Sequence, residues 1–247
     1  DLHSFPTRRS SDLVVDSGCP PFDGAVTGRN AHEKNRCSAS IDTILNAIEQ
    51  DSRIKAIVIA SRGPIYLNGK GFGPAEADYN HQPISERAHI NDATVTSPVE
   101  VFRQGLAATL ERFHKHGLHV AYLLQVPELG IPARDCLHRP LTLTGGRSGC
   151  KVPIALYKER MQPYRSIIND FRISHDYLNV IDPEPFFCDA YSCSGFHDNQ
   201  LLYADDDHLS VLGSMRLAPA ILKALDIGPN VPTTRSEERR VGKECRS

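Results

Sequence analysis

A three-layer α/β domain, with a parallel sheet and helices on both faces, is the fold class that two observations in this chain predict. Three short apolar runs, residues 54–61, 118–126 and 177–181, have the length and β-branched content of buried parallel strands. Between and after them lie stretches whose apolar residues recur three or four apart, the period of a helix with one buried face. Right-handed crossovers between successive strands make the arrangement flavodoxin-like. In such a sheet, sites form where the strands end at their carboxyl edge.

The two ends of the chain stand apart from this pattern. A codon choice for residues 4–13, reverse-complemented and read in a suitable frame, encodes residues 235–244, and two protein termini have no physical reason to be antisense copies. Residues 1–13 and 235–247 are therefore read as translated sequencing adapter and excluded from fold reasoning. Residues 14–234 remain as the domain, a partial one. In it 21 basic residues face 25 acidic ones, a formal net charge of −4. That balance, with no basic stripe and no interleaved aromatics, excludes a nucleic-acid partner. No run is long and apolar enough to span a bilayer. About 220 residues suit one domain with a proper core.

Six cysteines belong to the domain, with none in a CxxC pair and none beside a His at zinc-site spacing, so a metal is not expected. Cys19 and Cys37 bracket a Pro/Gly/Asn-rich loop, and Cys188 and Cys193 bracket a short turn. Both pairs are closable by disulfides, as in an oxidising compartment such as the periplasm. Cys136 and Cys150 offer a third pair, and buried free thiols are the alternative.

Taken in order, Val14 and Val15 are the stump of a strand that runs into Ser17-Gly18-Cys19-Pro20-Pro21, a turn no helix can enter. Asp16-Ser17 is for that reason not a nucleophile block, which needs a helix after its serine. Residues 38–50 read as a helix with Ile41, Ile44, Leu45 and Ile48 on one face and Ser38 or Ser40 as cap. After the strand at 54–61, Arg62 stands at a carboxyl end, and residues 67–96 read as a polar excursion over the mouth of a site. Pro98 opens the next helix and Gly117 closes it. Residues 154–175 read as a helix interrupted near Pro163, and residues 209–225 as the last helix. Gly145-Gly146-Arg147-Ser148-Gly149 lacks the Lys and the following helix of a phosphate loop. His114, His116 and His119 read as helix-end and solvated residues.

The motif that carries chemistry is Asp205-Asp206-Asp207-His208, at the mouth of the last helix. An Asp three residues before a His can turn back onto the imidazole and orient a general base. The competing reading is an acidic capping cluster with a solvated His.

Four features in order, Ser17-Gly18-Cys19-Pro20-Pro21, the strand ending at Arg62, Gln125-Val126-Pro127-Glu128, and Tyr203-Ala204-Asp205-Asp206-Asp207-His208-Leu209-Ser210, resemble the extracytoplasmic SGNH-type domain of the acyltransferase-three family. That family O-acylates bacterial surface polysaccharides. The resemblance implies an SGNH hydrolase fold and a Ser-His-Asp site without cofactors, in which His208 is the general base and Asp205 its orienting acid, Asp206 and Asp207 being helix-start residues. It implies an acyl donor delivered by a membrane acyltransferase domain of the same parent chain, a glycan acceptor, and a periplasmic location anchored through an upstream transmembrane region. The family's Gly-Asp-Ser block precedes the segment at 17–21, so the first, central strand and the nucleophile helix are expected to be missing here, leaving a fragment that is inactive as written. The usual Gly and Asn oxyanion donors are also not at their places. Arg62 is the candidate to polarise an acyl oxygen or hold a sugar, and Gly63 stands where the family often has an aromatic. A secreted carbohydrate esterase with the same site and a non-catalytic glycan-binding module are the alternative functions.

Overall fold

The structure, a computed structural model, describes residues 16, 18–78, 83–86, 97–136, 150–198 and 200–226. The terminal segments 1–13 and 235–247, Val14, Val15, Ser17 and the Gly-rich stretch at 145–149 lie outside the described residues. The elements in order are β1 (Ala25–Val26), α1 (Ala31–Gln50), β2 (Ala56–Ala60), α2 (Gly63–Asn68), β3 (Ser85–Glu86), α3 (Pro98–Lys115), β4 (His119–Leu123), β5 (Lys151–Pro153), α4 (Ile154–Ser174), β6 (Leu178–Ile181), α5 (Glu184–Phe187), β7 (Ser192–Ser194), β8 (Phe196–His197), β9 (Gln200–Leu201) and α6 (Val211–Ala224).

The expected parallel sheet is present, with described strands in the order β2-β4-β6. Ile57 pairs with Val120 and Val120 with Leu178, which fixes the two sides of the sheet. Side chains alternate along a strand, so Ile57, Ile59, Val120, Tyr122, Leu178 and Val180 share one face. All six belong to the larger core cluster, together with Ile41 and Leu45 of α1, Phe102, Leu106 and Leu110 of α3, and Met161, Tyr164 and Ile168 of α4. Each large apolar side chain buried there contributes about 1.5–3 kcal/mol relative to exposure. The opposite face carries Val58, Ala60, Ala121, Leu123, Asn179 and Ile181. Among the described residues α6 covers it, on the β6 side, where the amide of Asn179 donates to the carbonyl of Ala224 at 2.9 Å. This is the three-layer arrangement, one face fully dressed and the other in part.

Several boundaries differ from expectation for identifiable reasons. Helix α1 begins at Ala31, seven residues earlier than the apolar period suggests, because Asn30 accepts from the backbone of Glu33 at 2.9 Å while Glu33 reaches back to the Arg29 N–H at 2.8 Å. This reciprocal cap starts a helix whose first turns are polar and so carry no buried stripe. Helix α4 runs through Pro163 without interruption, since the pyrrolidine removes one backbone bond while Met161, Tyr164 and Ile168 keep the buried face anchored. All three disulfides, Cys19–Cys37, Cys136–Cys150 and Cys188–Cys193, are formed. Among the described residues no helix is long and apolar enough to cross a membrane. His114 stacks on Tyr177 at 4.1 Å between centroids, and His116 Nδ1 lies 2.9 Å from the Arg112 carbonyl.

Candidate active site

The acidic motif forms a tight loop closed by its own backbone. Tyr203 and Leu209 pair in an isolated bridge, and the Ala204 N–H donates to the His208 carbonyl at 2.8 Å. Two anchors hold the loop against the sheet. The Tyr203 hydroxyl, buried, donates to the Pro127 carbonyl at 2.7 Å, and the Leu129 N–H donates to the Asp206 carbonyl at 2.7 Å. Residues 127 and 129 follow β4, so the loop sits at the carboxyl edge of the sheet. Helix α6 starts after it, at Val211, with the Ser210 hydroxyl accepting from Gly213 at 3.2 Å as N-cap. Asp206 and Asp207 are consequently not helix-start residues, and the expected start at Leu209 moves to Val211, because Ser210 supplies the cap. A Cβ on Gly213 would fall onto the Leu202 carbonyl oxygen, so only glycine lets α6 pack this close behind the loop.

Within the loop Asp205 and His208 meet as the spacing of three predicts. His208 Nδ1 lies 2.9 Å from Asp205 Oδ2, and Asp205 Oδ1 also accepts the backbone N–H groups of Asp207 at 3.0 Å and His208 at 2.7 Å. Partial burial pulls the Asp205 carboxyl upward, but those two N–H donors and the neighbouring imidazole outweigh it and hold the group below its ordinary value. With Nδ1 turned to the acids, Nε2 is the nitrogen available to exchange a proton, and 74 % of the His208 side chain is exposed.

A second carboxylate reaches the same nitrogen. Asp207 Oδ1 lies 3.0 Å from His208 Nδ1, while only 8 % of its side chain is exposed. The resemblance gives Asp207 only the role of a helix-start residue. The loop is turned, so carboxylates at 205 and 207 both face the ring. Burial pushes the Asp207 carboxyl up to about 6, although the charges of Arg62 and His208 oppose that rise.

Arg62, leaving the end of β2, sits behind Asp207 with Nε at 2.7 Å from Asp207 Oδ2, a close ion pair whose N–H is not aimed along the oxygen. Its other nitrogens are occupied too. Nη1 donates to Glu76 at 2.7 Å, and Nη2 donates to both Glu76 and Glu128, the latter at 2.6 Å. Arg160 of α4 holds the far side of Glu128 at 2.8 Å. Burial works against the Arg62 charge, yet Glu76, Glu128 and Asp207 together raise it well above the usual arginine range, so it stays protonated. The substrate-facing role expected of Arg62 thus meets a guanidinium already engaged by three carboxylates. Neighbouring Gly63 also has a structural reason, because a Cβ there would enter the ring of Tyr164. Glu76, Glu128 and Arg160 come from places distant in sequence. Glu128 lies in one of the segments that carry the resemblance and Glu76 in the excursion expected over the mouth of a site, whereas Arg160 lies in a stretch read only as helix.

Asp205, Asp207 and His208 bring one ligand atom each to within 4.8 Å of one another. Arg62 already supplies a positive charge to the buried member of that set. What the arrangement offers chemically is an exposed, oriented imidazole backed by two carboxylates, the equipment of a general base.

A family model described as "SGNH domain (fused to AT3 domains)" matches residues 6–223, beginning inside the first terminal segment. No curated protein sequence matches the chain. Among solved structures, the periplasmic domain of a lipopolysaccharide acetyltransferase from Salmonella ser. Paratyphi A is similar at a TM-score of 0.46 and 12% identity, with 83% of this chain and 69% of that chain covered.

Proposed function

We propose, from the premise that the chain belongs to the family of SGNH domains fused to AT3 domains, that it is part of an O-acyltransferase that acetylates a bacterial cell-envelope polysaccharide. The observation that carries this reading is the 2.9 Å contact of His208 Nδ1 with Asp205 on an exposed loop at the carboxyl edge of a parallel sheet. His208 Nε2 takes the proton of a serine hydroxyl as its oxygen attacks the acyl carbonyl, then returns that proton to the donor's leaving group as the acyl-serine forms. In the second half the same nitrogen takes the proton of a sugar hydroxyl as its oxygen attacks the acyl-serine, and hands that proton to the serine oxygen as the acyl–serine bond breaks. Asp205 keeps Nδ1 protonated throughout and stabilises the imidazolium. A base positioned in this way is worth roughly two to four orders of magnitude in rate.

The serine is not among the residues gathered here, and it comes from a strand and helix upstream of residue 14 in the natural protein. The uncovered sheet face supports that reading. Among the described residues β2 pairs only with β4, Val58 and Ala60 remain half-buried and exposed, and α6 leaves Val211 and Met215 exposed. A strand beside β2 and a helix over Val58 would cover both. The acyl donor is delivered by the membrane acyltransferase domain of the same parent protein, and a glycan is the acceptor. The three disulfides support a periplasmic location, since they persist in oxidising compartments. Residues 1–13 and 235–247 take no part.

The test is to fuse residues 14–234 behind a family first strand and helix bearing Gly-Asp-Ser and to measure turnover of an acetyl ester with and without a glycan acceptor. Activity in the fusion, none in the chain as written, and acceleration by the acceptor are expected. No gain over the chain alone refutes the reading, and hydrolysis indifferent to acceptor replaces it with an esterase.

A further inference from the structure

We propose that Asp207 and Arg62 form a positioning pair for His208, Arg62 holding the buried carboxylate of Asp207 against ring Nδ1 so that two acids, not one, set the tautomer and angle of the imidazole. The inference rests on the reading of His208 as general base and adds what fixes it. Asp205 alone is a poor clamp. Its Oδ1 is already committed to two backbone N–H groups, and 52 % of its side chain is exposed, where water competes for the ring. Asp207 lies at the same range from Nδ1, 3.0 Å, with its side chain nearly removed from water. At equal separation a pair in a protein-like effective dielectric of about 20 interacts roughly four times as strongly as one in bulk water.

A buried carboxylate needs a counter-charge and a fixed direction, and Arg62 provides both from the opposite side. The guanidinium is in turn fixed by Glu76 and Glu128, and Arg160 compensates Glu128. Three of its five N–H groups are consumed by hydrogen bonds, and its Nε edge faces Asp207 in the ion pair. It therefore acts through Asp207 and not on an acyl oxygen. The charged groups around the ring are Asp205, Asp206 and Asp207 from its own loop, Arg62 from the end of β2, and Glu76, Glu128 and Arg160 behind them.

The tautomer can be read directly on the 247-residue chain, without turnover, from long-range proton–nitrogen correlations of 15N-labelled histidine, the His208 signals being assigned with His208→Gln. The Nδ1–H form is expected to dominate the neutral ring. Asp207→Asn lowers the ratio of Nδ1–H to Nε2–H about tenfold, because it removes the second carboxylate charge held 3.0 Å from the nitrogen. Arg62→Lys, which keeps the charge and loses the fork, lowers it by less. A ratio that stays at the wild-type value in Asp207→Asn overturns the proposal. If that variant does not fold, an unchanged ratio in Arg62→Lys does the same. An unmoved ratio alongside acyl transfer in the fused chain removes only the positioning pair, and a moved ratio without acyl transfer removes only the proposed function.

Discussion

The two faces of the central sheet differ in how completely they are covered, and the difference separates what holds this molecule together from what it does. On one face Ile59, Val120 and Tyr122 lie under α1, α3 and α4, with Phe102, Leu106 and Leu110 wholly out of solvent. On the other face, among the described residues, α6 packs beside β6, and the apolar side chains of Val211 and Met215 stay in water. The covered face is a close-packed core, with Ile57 and Val180 half-buried at its margin. The acidic loop belongs to the other face, through the smaller cluster that includes Leu202, Tyr203 and Leu217. An acidic loop on the incompletely covered face can accept further contacts without any change to the core that carries the stability.

If stability resides on the covered face, the largest loss follows Phe102→Ala, about 4 kcal/mol in urea unfolding, with the His208 ring signals unchanged. A change in those signals would show the two faces to be coupled. Cys19→Ser with Cys37→Ser follows at about 3 kcal/mol, because that bridge closes a loop of 18 residues in the unfolded chain, and its removal too leaves His208 alone. Gly213→Ala is smaller, about 2 kcal/mol, and has the opposite signature. It pushes α6 from Leu202 and shifts the His208 resonances, because the glycine lies directly behind the loop.

The pH dependence of unfolding probes Asp207. Its folded-state value is raised to about 6 from an ordinary 3.8, so the folded chain takes up a proton before the unfolded one does. That contribution is fully present below about pH 4 and is lost as pH rises through 6, by less than about 2 kcal/mol after solvent screening. Asp207→Asn is expected to remove this slope between pH 4 and 6. Asp205, whose value is lowered, acts only at lower pH and with the opposite sign. Smallest of all is Met215→Ser, within about 0.5 kcal/mol in this chain. A larger loss would mean that the α6 surface is already covered.

The covered face was largely legible from sequence, since β2, β4, β6, α3 and α4 each carry an apolar period that matches their burial. The polar first turns of α1 were not, because a cap leaves no periodic trace. Nor were β5, β7, β8 and β9, whose two or three residues each are too short for alternation to register. The Asp205 to His208 contact was legible because it depends on spacing alone. The approach of Asp207 to the ring was not legible, because its direction depends on loop curvature, which Tyr203, Leu209 and the contacts to residues 127 and 129 impose. Glu76 and Arg160 could not have been found, since only the folded chain brings positions 62, 76, 128 and 160 together.

The Cys136–Cys150 bridge has a consequence for how this surface can change over generations. Both cysteines are buried in the smaller core cluster, beside Leu202 and Tyr203 that carry the acidic loop. Residues between them are joined at the base by a covalent bond, so their number and composition can drift while the ends stay fixed next to the site. Changes of that kind leave the residues that carry the acidic loop where they are.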